Sequence, residues 1–149
     1  MKKYLCLLII LSVKVIISQT AGWKQINSPT YSTIYSIYFV NEDTGFVSSS
    51  GGRIIKTTDG GTTWSTSYIL DVWDFRDFSF INKNVGWSVS RKGCIVKTTD
   101  CGQNWFKQRQ GGGYDTALTS VCFVDSLYGW AVGDAGTIRA TNDGGVNWT

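Results

Sequence analysis

Histidine is absent from the 149 residues of this chain, and proline and glutamate occur once each, as Pro29 and Glu42. Without histidine the chain lacks the commonest general base near neutral pH and the commonest transition-metal ligand. Glycosidase chemistry needs two carboxyl groups held about 5–10 Å apart across a sugar, and with a single glutamate, placed in a turn, the one candidate cluster is that of Asp71, Asp74 and Asp77. Net charge is also scarce. Lys2, Lys3 and Lys14 account for the formal +3, so the rest of the chain is balanced. A neutral domain has no general electrostatic pull toward nucleic acid or an anionic membrane. The sequence therefore implies no metal, no cofactor and no nucleic-acid partner. No segment carries a helical apolar period of useful length either, which argues against a helical fold.

The chain opens with a leader. Lys2 and Lys3 precede the apolar run Tyr4–Val13, Lys14 interrupts it, and Ser18 is a small residue at which cleavage fits. The run falls well short of the ~18 residues of a membrane span, so 1–18 reads as a signal peptide, with an uncleaved N-terminal anchor as the alternative. That reading predicts a secreted, periplasmic or cell-surface protein with no membrane span once the leader is removed. Export permits disulfides. Of the four cysteines Cys6 falls in the leader, and the three that remain, Cys94, Cys101 and Cys122, are an odd number; free thiols are expected.

What the chain has in abundance is repetition. Thr57-Thr-Asp59-Gly-Gly61-Thr-Thr-Trp64 recurs as Thr98-Thr-Asp100-Cys-Gly102-Gln-Asn-Trp105 and as Thr141-Asn-Asp143-Gly-Gly145-Val-Asn-Trp148. The steps are 41 residues (Trp64 to Trp105) and 43 residues (Trp105 to Trp148). A Gly/Trp signature at a period in the 40s marks a repeat architecture. Upstream of each box the sequence alternates with period two, at Ile37/Phe39, Phe78/Phe80 and Val121/Phe123. A polar turn and then Gly45-Phe46, Gly86-Trp87 or Gly129-Trp130 open a second strand. A third strand leads into the box, and a fourth begins at the tryptophan. Four short strands per repeat of this length describe a propeller blade. The fold class is thus all-β: a partial β-propeller of three four-stranded blades at about 31–68, 74–110 and 115–149. Residues 23–28 are expected as a leading outer strand, since Trp23 lies 41 residues before Trp64. Three blades are fewer than the usual four to eight, so a fragment of a larger propeller is the simplest expectation. Assembly of several chains into a ring is the alternative.

Each box residue has a mechanical reason to be there. Asp59, Asp100 and Asp143 are expected to accept hydrogen bonds from backbone N–H groups two residues on. Gly61, Gly102 and Gly145 supply a backbone conformation a Cβ would penalise. Trp64, Trp105 and Trp148 lay a large ring against the blade. This pattern resembles the Asp-box (BNR) repeat of sialidase-like β-propellers, and in its strand order most resembles the photosystem II assembly and stability factor family. The resemblance covers Trp23 to Trp148. It implies a structural role for the boxes, away from the ligand face, and no catalytic one.

Function has to lie on residues the repeats do not share. The Arg-Ile-Pro-like motif of sialidases is missing. The remaining cluster is Asp71-Val-Trp73-Asp74-Phe-Arg76-Asp77, which enters the first strand of the second repeat. Trp73, Asp74 and Arg76 are candidates for a ligand rim, an aromatic plate flanked by opposite charges; a solvated strand-entry loop is the plainer reading. Arg53, Lys56, Arg91, Lys92, Lys97 and Arg139 form a basic set around the second and third strands. There, Lys56 and Lys97 read as charges that guard a sheet edge. The expected function is a secreted, non-enzymatic binding or assembly scaffold with a protein or glycan partner on the propeller face. A sialidase-like hydrolase fragment and a structural repeat of a large surface protein are the alternatives.

Overall fold

The computed structural model describes Gly22, residues 25–112 and residues 117–149. The leader at 1–18 and Trp23 lie outside these described residues. The chain forms three antiparallel sheets, each a meander with strands in sequence order. The first blade contains β1 (Ile34–Phe39), β2 (Gly45–Ser49), β3 (Arg53–Thr57) and β4 (Ser65–Tyr68). The second contains β5 (Phe75–Phe80), β6 (Gly86–Ser90), β7 (Ile95–Thr98) and β8 (Phe106–Arg109). The third contains β9 (Leu118–Phe123), β10 (Gly129–Gly133) and β11 (Ile138–Thr141).

The expected partial propeller is what forms, with two four-stranded blades and a third that shows three strands among the described residues. Thr149 already exchanges both backbone hydrogen bonds with Ala140, at 3.0 Å each, in the place where a fourth strand starts. Residues 25–28, expected to belong to an outer strand, adopt no strand conformation.

Local sequence explains the first hairpin of each blade. Phe39, Phe80 and Phe123 pair across the sheet with Gly45, Gly86 and Gly129. The phenyl ring lies directly over the glycine, and a Cβ on Gly86 would sit 2.4 Å from the Phe80 ring. Only a residue without a side chain lets the aromatic fold down there. The next residue, Phe46, Trp87 or Trp130, then points to the opposite face of the sheet.

That face meets the following blade. Phe46 stacks on Phe80 of the second blade, with ring centroids 4.7 Å apart, and meets Trp105 edge-on at 6.2 Å. One blade further, Trp87 lies flat on Phe123 at 3.5 Å, and Trp148 stands edge-on to Phe123 at 5.7 Å. The hydrophobic core is therefore not inside any blade but in two seams between blades. One is built on Phe46, Ile54, Phe78, Phe80 and Val96. The other is built on Trp87, Val89, Ile95, Leu118, Val121 and Phe123. Burying a ring of this size contributes about 2–3 kcal/mol, so each blade is stabilised chiefly by its neighbour.

Candidate functional site

The three boxes share one geometry. Thr57 Oγ1 donates to Asp59 Oδ1 at 2.8 Å and accepts from Gly61 N–H at 2.9 Å. Asp59 Oδ1 also accepts from Thr63 N–H at 2.8 Å, and Asp59 Oδ2 from the Thr63 hydroxyl at 2.6 Å. In the second and third boxes Asn104 and Asn147 replace Thr63 and make the same two bonds to Asp100 and Asp143. The aspartate thus accepts from the backbone four residues on rather than two, because the threonine hydroxyl has taken the intervening glycine N–H. These bonds favour the charged carboxylate and hold all three aspartates below the usual range. For Asp143 the backbone bond from Asn147 is the largest cause, and the value falls to about 2. A carboxylate so fully engaged and so acidic cannot serve as a proton donor near neutral pH. The boxes are turns.

They also face the preceding blade. A Cβ on Gly102 would lie 2.4 Å from the Phe46 ring, so the box glycine is the seat of that ring. Lys56 Nζ reaches across the seam to the carbonyl of Cys101 at 2.6 Å, and Lys97 Nζ to that of Gly144 at 3.0 Å. These two lysines do not guard an edge: β3 and β7 are interior strands of their sheets. They latch one blade to the turn of the next, a link that sequence spacing alone cannot show.

The rim candidates gather at the opposite end of the blades, where β2 turns into β3 and β6 into β7. A bulge near the start of each inner strand leaves one residue unpaired, Tyr35 in β1 and Arg76 in β5. A bulge re-aims its side chain, and here the two side chains meet. The Arg76 guanidinium lies 3.9 Å from the centroid of the Tyr35 ring. Asp74 holds this corner together, with its side chain only 13 % exposed. It lies 3.9 Å from Arg76 and 3.7 Å from Arg91, and it accepts from Gly51 N–H at 3.2 Å and the Tyr35 hydroxyl at 3.5 Å. Asp74 is thus a tie between the first two blades, whereas Trp73 is 52 % exposed and has Lys92 Nζ over its ring at 4.2 Å. Beside them Arg53 bonds the Ser32 hydroxyl, stacks on Tyr68 at 5.5 Å, and borders a shallow pocket of about 360 Å³ with Tyr31, Ser32 and Tyr68.

The structure therefore divides the basic set. Arg53, Arg91 and Lys92 join Trp73, Asp74 and Arg76 at the rim, while Lys56 and Lys97 go to the box end. One residue of the cluster acts elsewhere. Asp77 accepts from Ser36 of the first blade at 3.3 Å, and from the Ser120 hydroxyl and Val121 N–H of the third at 2.7 and 3.1 Å. It joins all three blades through their innermost strands. The equivalent positions Ser36 and Ser120 carry no charge, and that contrast is the sequence signal for it. Cys94, Cys101 and Cys122 are free. Among the described residues no group of three or more Cys, Asp or Glu side chains could hold a metal ion, and no helix is long and apolar enough to cross a membrane.

Fold, box turns and seam packing together define an Asp-box β-propeller protein. The profile of the family described as photosynthesis system II assembly factor YCF48 matches residues 15–111, more than half of the sequence. The chain belongs to that family. A solved structure of YCF48 bound to D1 peptide is 28 % identical, with a TM-score of 0.72, over 83 % of this chain and 42 % of its own. YCF48 from Cyanidioschyzon merolae is 27 % identical with the same TM-score, over 87 % of this chain and 42 % of its own. The photosystem II stability/assembly factor HCF136, chloroplastic, of Cyanidioschyzon merolae (strain NIES-3377 / 10D) is 37 % identical over 54 residues, 35 % of this chain and 12 % of that protein. The chain spans less than half the length of each of these proteins.

The family corrects one expectation. A secreted, periplasmic or cell-surface location does not stand, because the relatives are photosystem II assembly factors and one of them is chloroplastic. A pattern of charged and apolar residues does not by itself name a compartment.

Proposed function

We propose that this chain acts as a non-enzymatic protein-binding scaffold in photosystem II assembly, gripping a peptide segment of its partner at the rim of the first two blades. The observation that carries this reading is the grouping of Arg53, Arg76, Arg91 and Lys92 around Tyr35, Tyr68 and Trp73, with Asp74 partly neutralising it. Aromatic plates beside cations suit a peptide that offers a carboxylate and an apolar side chain together. The related YCF48 binds a D1 peptide, and a peptide is the partner proposed here. The box carboxylates are engaged and Asp74 is ion-paired with Arg76 and Arg91, which speaks against glycan hydrolysis.

The test is fluorescence anisotropy of a labelled D1 peptide titrated with the chain at low and moderate salt. Binding that weakens with salt, and that drops by about tenfold in Trp73→Ala and in Lys92→Ala, supports the proposal. No binding, or turnover of a sialoside or xyloglucan panel by the purified chain, overturns it.

A further inference from the structure

The outer edges of the two four-stranded blades are unlike. β4 and β8 each end their sheet and pair on one side only, with β3 and β7. An exposed strand edge is a template for another strand, and proteins blunt such edges with charges, prolines or bulges. β8 carries two of these devices: Lys107 and Arg109 stand along it, and its register with β7 shifts between Ile95 and Val96. β4, Ser65-Thr66-Ser67-Tyr68, carries none of them. The Ile69 N–H turns inward to the Gly52 carbonyl at 3.1 Å. Backbone groups alternate in direction along a strand, so the N–H and C=O of Thr66 and Tyr68 face the open edge.

Beside that edge lies a groove of about 490 Å³ between the outer strands of the first and second blades. Ser67, Ile69 and Leu70 line one side of it, and Asn104, Trp105 and Lys107 the other. Ser67 pairs with Ile54 and Tyr68 with Arg53, so the groove opens on the face of β4 opposite the Arg53–Tyr68 stack. The Trp105 indole N–H is buried without an acceptor, whereas those of Trp64 and Trp148 bond the carbonyls of Gly61 and Gly145 in their own turns. A ring held by packing alone, with a donor to satisfy, is able to tilt toward an acceptor brought into the groove. Leu70 is exposed beside it. Lys107 is the cation of the groove, and its partner Asp71 lies 3.9 Å away with its side chain 85 % exposed. So exposed a pair holds weakly in water.

We infer that β4 takes up an extended peptide of a partner protein as an added strand of the first blade. An apolar residue of that peptide covers Trp105 and Leu70, and an acidic residue two places along meets Lys107. Main-chain hydrogen bonds to Thr66 and Tyr68 supply the grip, and the side chains facing the groove supply the choice. Alternate residues of a strand share a face, so the pattern recognised is apolar, any residue, acidic. Lys107 sets the sign of the charge by exchanging Asp71 for the carboxylate of the peptide. The site is separate from the rim and does not rest on the peptide proposed there.

Nuclear magnetic resonance titration of the isotope-labelled chain tests this. The probe is a short peptide of alternating valine and threonine with one aspartate in a valine place, capped at both ends so that no terminal carboxylate is offered to the rim. Two companion peptides carry lysine for the aspartate, or N-methyl groups along the backbone. The expected result is that the amide signals of Thr66 and Tyr68 and the indole signal of Trp105 move with the aspartate peptide. The lysine peptide should bind about tenfold more weakly, and the N-methylated one not at all. Thr66→Pro removes an N–H that makes no bond to β3 and should abolish binding, while Lys107→Glu should reverse the preference between aspartate and lysine. Circular dichroism checks that each variant keeps its strands; Tyr68→Pro and Lys107→Ala replace any that does not, the latter with loss of the preference. An aspartate peptide that moves no signal of β4, or that binds equally well when N-methylated or to Thr66→Pro, overturns the inference. So does an aspartate preference that persists in the Lys107 variant. Signals of Thr66 and Tyr68 that move with the concentration of the chain alone overturn it as well, since the edge would then pair with a second copy.

Discussion

Trp87 lies parallel to Phe123 across the seam between the second and third blades, with 6° between the ring planes and 3.5 Å between their centroids. Trp87 is fully buried, and its indole N–H donates to the Gly144 carbonyl at 3.3 Å. Trp87→Ala would empty the centre of that seam and is expected to lower stability by about 3–5 kcal/mol. Trp87→Phe should lose much less, because Phe46 fills the same place one blade earlier. Urea denaturation followed by circular dichroism measures both. An alanine variant with the parent midpoint would show that the blades are stable independently of each other.

Lys97 and Lys56 make the second kind of link across the seams. Burial lowers the Lys97 pKa, and the charge of Asp143 opposes that shift. Lys97→Ala and Lys56→Ala each remove a charged donor from a box carbonyl, at an expected loss of about 1–2 kcal/mol. Chemical denaturation of the monomeric variants reads this out. Unchanged midpoints would mean that these two hydrogen bonds do not hold the seams.

The box aspartates predict an acid limb. The folded Asp143 titrates at about 2, against 3.8 for the ordinary group. Its pKa is depressed by folding, so its contribution is complete above the unfolded value and is lost as pH falls from about 4 toward 2. Asp59 and Asp100 shift in the same direction. Denaturation midpoints should be level between neutral pH and about 5 and then fall steeply below 4. Asp143→Asn should flatten that slope. Equal slopes in parent and variant would mean that the box is not the titrating element.

Cys101 occupies the turn position that is glycine in the other boxes, and its φ is 59°, beside 66° at Gly60 and 73° at Gly144. A side chain in this left-handed region is strained. Cys101→Gly is expected to raise stability by about 0.5–1 kcal/mol, and Cys101→Ala to bring no such gain. Thermal melts of the two variants decide it. A gain from alanine would place the effect in the thiol rather than the backbone.

Much of this was legible in the residues because the blade repeats itself. Gly86-Trp87 announces a strand, since a glycine under Phe80 and a ring beyond it recur in phase three times. The box announces a turn for the same reason. Asp77 was harder to read. Its place in a charged cluster suggested a rim, yet its carboxylate reaches Ser36 and Ser120, 41 and 43 residues away in sequence. Asp74, a rim candidate in the sequence, also ties the first two blades through Gly51 and Tyr35, which no local pattern shows. Lys56 and Lys97 misled because period-two alternation shows which face a side chain takes, not what lies opposite.

The sequence by itself determined the strand order, the blade period and the three turns, because each depends on contacts within one repeat, and its composition alone determined the lack of histidine chemistry. Tertiary structure alone decided that the core lies between blades and that the box glycines seat the preceding blade's aromatic rings. It also decided that Arg76 and Tyr35 meet at the rim. Those outcomes depend on the angle at which one sheet packs on the next, and that angle is set by the rings filling the seam rather than by any local pattern.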